Sequence, residues 1–137
     1  MKRKPVLAAA LFAAMTTALY GAGNASPANP PVTYTRDIAP IFGRTCATCH
    51  MMGTEAGRIS LVPGRAIAST VNVASAGAPA FKRIVPGKPD QSYLIMKLEG
   101  THIARGGTGA RMPFNAPPLP PEKIGLIRRW IADGAKP

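Results

Sequence analysis

Both cysteines of the 137-residue chain, and one of its two histidines, fall in the single run Cys46-Ala47-Thr48-Cys49-His50. Two thiols separated by two residues and followed at once by an imidazole form the spacing that attaches haem covalently. The sulfurs add to the two vinyl groups of the porphyrin. The next side chain along a helical turn then offers a ring nitrogen to the iron. A chain carrying this run has to fold around a large, flat, apolar ring.

Other chemistries of the same run fit less well. A thioredoxin-like redox pair shares the two-residue spacing but belongs beside a βαβ pattern, and no such alternation is visible in the sequence. A structural zinc site needs four protein ligands, usually as two pairs. Only Cys46, Cys49, His50 and the remote His102 are available as soft or imidazole donors, and His50 directly follows Cys49. A structural disulfide between Cys46 and Cys49 would close a very small ring and add little stability.

The N-terminus reads as an export signal over residues 1–25. Lys2, Arg3 and Lys4 form a basic start, Val6 to Leu19 is apolar, and Gly23-Asn24-Ala25 supplies small residues for cleavage. The apolar stretch holds 14 residues, short of the roughly 20 that span a bilayer, so no stable membrane span is expected. Export to the periplasm agrees with the haem reading, because c-type haem is attached outside the bacterial cytoplasm. Cleavage after Ala25 leaves 112 residues, of which 26–33 form an extended lead-in and 34–137 a single domain. So small a domain has a modest core of its own, which a bound haem would complete.

Charge narrows the partners. The full chain carries +11, and loss of the first 25 residues leaves 14 basic against 6 acidic residues, a net +8. A basic protein suggests nucleic acid, but an exported one rarely meets it, and the longest basic runs here are the pairs Lys82-Arg83 and Arg128-Arg129. Solubility accounts for dispersed charge of this kind. The functional counterpart is steering toward redox partner proteins of acidic surface.

Four helices are legible. Thr35 serves as N-cap for a first helix with Asp37 in its first turn, and Ile38, Ile41 and Phe42 share one face leading into Cys46. A short helix is expected over Ala66 to Val71, and Ala74 to Pro79 reads as loop. Asp90 caps a helix over about Gln91 to Glu99, which Gly100 stops. Thr101 to Ala110, with three glycines, reads as a flexible loop. Pro121 opens the last helix, along which Ile124, Ile127 and Ile131 recur beside Trp130 before Gly134 ends it. No strand pattern is evident.

His50 leaves one axial position on the iron to fill. Met112 lies 62 residues further on, directly before Pro113 and inside a polar, glycine-rich stretch where a core methionine has little reason to be. Its thioether would favour ferrous iron and raise the reduction potential. His102 is the competing donor, giving two imidazoles and a lower potential, but Thr101 and Gly106-Gly107 around it suggest an exposed surface histidine.

With these residues in place the chain resembles the class I c-type cytochromes, and within them bacterial monohaem domains. The likeness rests on Asp37-Ile38-Ala39-Pro40-Ile41, the haem run, Val85-Pro86-Gly87 with Ser92 and Leu94, Met112-Pro113, and Trp130-Ile131 before Gly134-Ala135. Met51 after His50 departs from the glycine such domains often carry there. The resemblance implies an all-α fold, with N-terminal and C-terminal helices crossing beside a covalently bound haem, and Ile38 and Phe42 meeting Ile127, Trp130 and Ile131. It also implies one haem c attached through Cys46 and Cys49, with iron held by His50 and Met112. Iron ligated on both faces suits single-electron transfer rather than catalysis. A haem-based sensor whose sixth ligand leaves the iron is the alternative.

Overall fold

The computed structural model describes residues 30–137 of the chain. The expected export segment, residues 1–25, and the first part of the expected lead-in lie outside the described residues. From Tyr34 onward the chain is an ordered succession of short elements. A π-helical turn, Tyr34–Ile38, runs into helix α1, Ala39–Thr45. Helix α2 is Ala66–Thr70, strands β1 and β2 are Ala74–Ser75 and Ala78–Lys82, and helix α3 is Tyr93–Glu99. Helix α4, Pro121–Ala132, closes the chain.

The all-α expectation is therefore wrong. β1 and β2 form a two-stranded antiparallel sheet in the segment that reads as loop, with Ala74 opposite Lys82 and Ser75 opposite Ala78. Alanine, glycine and proline carry no strand preference of their own, so the hairpin rests on its surroundings. The Arg83 amide donates to Val73 O at 2.7 Å, and Ala78 and Phe81 pack against Tyr93 and Met96 of α3. The described domain is thus a mixed helix and strand structure with four α-helices and one small hairpin.

The helix ends follow from local chemistry, with two shifts from the sequence reading. The first helical turn begins at Tyr34, and no side chain at the preceding residue caps it. Instead the Asp37 carboxylate reaches back and accepts the Thr33 amide at 2.7 Å, while the Asp37 amide donates to Thr33 O at 3.0 Å. A side chain thereby satisfies one of the donors that a helix start leaves free. In front of α3, Ser92 rather than Asp90 holds the cap position; its hydroxyl donates to Lys88 O and accepts the Val85 amide. Asp90 pairs instead with Arg128 of α4. Gly100 ends α3 in a left-handed conformation, φ 78°, which costs glycine nothing.

One main core joins the two ends of the domain. Tyr34, Ile38, Phe42, Ile84, Ile95, Ile127, Trp130 and Ile131 are buried in it together. Trp130 sits between Tyr34 and Phe42, with ring centroids 5.6 and 6.3 Å away, and donates its indole N–H to Lys136 O at 2.7 Å. Arg83 links the middle of the chain without any carboxylate. It is 9% exposed, and its guanidinium donates to Ser69 O, Gly57 O and Arg58 O at 2.7 to 2.8 Å. Among the described residues no helix is long and apolar enough to cross a membrane.

Candidate haem-attachment site

Helix α1 delivers the cysteine run. Cys46 stands at its C-terminal end, where its amide and that of Ala47 both donate to Phe42 O at 2.9 Å. The run then makes one further turn, with the Cys49 amide on Cys46 O at 3.2 Å and the His50 amide on Cys46 O at 3.0 Å. That last bond has the four-residue spacing of an α-helix. Cys46, Cys49 and His50 are therefore brought together on a single turn, and both thiols are free.

The two thiols differ in setting. Cys46 is partly buried against the main core, and burial, reinforced by the neighbouring Cys49, pushes its pKa up to about 11. Cys49 is exposed. His50 is half-buried, and burial lowers its pKa, so the ring favours the neutral form that can bind a metal. Glu55 and the Ala56 carbonyl oppose that shift from nearby. Nδ1 of His50 is nevertheless buried without a hydrogen bond of ordinary geometry.

The loop after the run is closed rather than free. Leu61 donates its amide to His50 O at 2.7 Å, and the Ser60 hydroxyl donates to Met51 O at 2.6 Å. Inside it, the Glu55 carboxylate accepts the Met52 and Gly53 amides, and these backbone donors hold its pKa below the usual glutamate value. The doubtful position, Met51, leaves its side chain in solvent along with Met52. This acidic turn lay unnoticed in the sequence, although Glu55 two residues after Gly53 is a recognisable backbone-capping arrangement.

Met112 stands at the end of the loop that follows α3. It is half-buried and packs against the same core as Cys46. Its amide donates to Lys97 O at 2.9 Å, and the Arg111 guanidinium brackets the turn by donating to Met112 O and Ala116 O. The peptide bond to Pro113 is cis.

The expectation of a surface histidine at His102 fails. This residue is 1% exposed, edge-on to the Tyr93 ring, with Nε2 at 2.8 Å from Gly109 O and 3.1 Å from Lys97 Nζ. An imidazole so occupied is a fastening of its own loop. The contacts that bury it come from α3 and are invisible in the flanking glycines.

The residues present fit a covalently attached haem. Two free thiols and an imidazole with an unpartnered buried nitrogen share one turn, and the Met112 thioether packs against the same core as Cys46. No three His, Cys, Asp or Glu side chains among the described residues gather as a metal-ion cluster. Comparison with protein-family models, with curated proteins and with solved structures found no match to this chain.

Proposed function

We propose that the protein is an exported monohaem c-type protein that carries single electrons between redox partners. The observation that carries this reading is the turn Cys46–His50, in which the spacing that attaches haem coincides with free thiols and a burial-neutralised imidazole. Cys46 and Cys49 would form the thioethers, each by adding S–H across a vinyl group, a step that needs no oxidant. His50 would supply one axial ligand and Met112 the other. The bound haem would supply an iron that changes by one electron without making or breaking bonds to substrate.

The protein's own contribution is to hold and to shield. Helix α1 and the Leu61–His50 bond fix the turn that would hold the group, and Cys46 packs against the core that contains Phe42 and Ile95. No residue is assigned a catalytic role. The net +8 of the chain after residue 25 favours encounter with redox proteins of acidic surface. Residues 1–25 support export.

The test is the visible spectrum of protein made in cells that attach c-type haem, oxidised and then reduced. A covalent c-type spectrum that survives denaturing electrophoresis, and is lost in Cys46→Ala/Cys49→Ala, is expected. So is the weak long-wavelength band of ferric iron bound to methionine. Met112→Ala should remove that band and lower the potential by a sizeable part of the ~0.8 V over which axial ligands act. Rapid binding of cyanide or carbon monoxide by the unmutated protein would instead favour the sensor.

A further inference from the structure

We infer that Lys97 is the positioning residue for Met112: its ammonium and its backbone carbonyl together fold the loop that presents the thioether. The inference rests on the proposal that Met112 binds iron.

Residues 101–112 have little of their own to hold them. Three glycines raise the entropy cost of ordering the segment, and Ile103, its one large apolar side chain before Met112, is 59% exposed. Yet the segment is fastened at many points, and they converge on one side chain. Lys97 Nζ donates to Thr108 O at 3.0 Å and to Ala110 O, and lies 3.1 Å from His102 Nε2. An ammonium has three donors, and three acceptors surround this one. The backbone oxygen of the same residue accepts the Met112 amide at 2.9 Å. Lys97 therefore grips the loop on both sides of Arg111.

The neighbouring contacts complete the fastening without replacing it. The Nε2 atom of His102 cannot accept from Lys97 and donate to Gly109 O at once, so one bond or the other forms, and the loop stays tied in either case. Thr108 donates twice to Gly77 O, through its amide and its hydroxyl. Gly107 lies so close to α3 that a Cβ there would stand 2.5 Å from the Tyr93 hydroxyl. These bonds hold residues 102–109. Among the described residues, Lys97 is the one helix residue that hydrogen-bonds both Ala110 and the Met112 amide, the stretch that sets where the sulfur lies. A lysine serving solubility would keep its head in water, whereas Lys97 is half-buried with its head among backbone oxygens.

Lys97→Met tests this, because it keeps the apolar stem and removes the ammonium. In the haem-loaded protein the iron–methionine band should vanish, or be lost on warming well before global unfolding. Exchange of the Met112 amide should rise at least about tenfold, as loss of a charged donor implies. Unchanged band and unchanged exchange would overturn the positioning role. A band lost in Met112→Ala but kept in Lys97→Met would sink that role alone. A band missing from the unmutated protein would sink the ligand assignment and the positioning role with it. Should Lys97→Met not fold, native-state exchange of the unmutated protein decides. Amides 107–112 opening together with α3 support the inference, and their opening separately at low free energy overturns it.

Discussion

At the scale of single residues, the two cysteines are chemically unlike although they share one motif. Cys46 is pressed against the core with its pKa near 11, whereas Cys49 is exposed. At pH 8 only about one Cys46 thiol in a thousand is then the reactive thiolate. In haem-free protein kept reduced, alkylation at pH 8 should modify Cys49 first and Cys46 at least about tenfold more slowly. Peptide mass spectrometry over time reads this, and equal rates would contradict the buried setting of Cys46. The run Cys46–His50 is visible in the sequence because it is defined by spacing along the chain. His102 was misread for the opposite reason. Its burial is made by Tyr93 and Lys97, which a window of neighbouring residues does not contain.

Elements show the same division between local and distant causes. Helix α4 announces itself because twelve residues carry their own apolar period between Pro121 and the glycine after Ala132. The β1–β2 hairpin does not, because Ala74, Ser75, Ala78 and Pro79 pair only under contacts from α3 and Thr108. The start of the first helix lies between these cases: the acid in its first turn was legible, but not that it caps Thr33. Asp37 has its pKa lowered first by the Arg36 guanidinium and then by the Thr33 amide. A carboxyl with a depressed folded pKa stabilises fully above its ordinary value and loses that contribution as pH falls through the depressed one. Asp37→Asn should therefore lower the melting temperature near pH 7. The gap from the unmutated protein should narrow below the ordinary value of 3.8 and close in stronger acid. Thermal melts across pH 2 to 7, read by circular dichroism at about one-unit steps, measure it; a gap independent of pH would assign the effect to something other than charge.

Across the whole molecule, the site depends on a core that joins chain segments about a hundred residues apart. Tyr34 and Phe42 at the start of the domain meet Trp130 near its end, and Ala135 is buried in the same cluster. The turn bearing Cys46 leaves α1 directly beneath this junction, since the Cys46 amide bonds to Phe42 O. Loosening the junction must therefore loosen the thiols that would meet the porphyrin on the proposed reading. Trp130 is 1% exposed, so truncating it leaves a large cavity, at a cost of about 3–5 kcal/mol. Small domains hold only about 5–15 kcal/mol in all. Trp130→Ala should accordingly move the urea midpoint of the haem-free protein down steeply, toward zero, and reduce the yield of covalent haem in cells. Trp130→Phe keeps the apolar contact and gives up only the indole bond to Lys136 O, worth about 1 kcal/mol, so it should attach haem almost normally. Urea titrations of both variants, set beside their haem content, test the coupling. Full haem attachment in a Trp130→Ala protein whose haem-free form is unfolded would mean that the cysteine turn recruits its cofactor without the core.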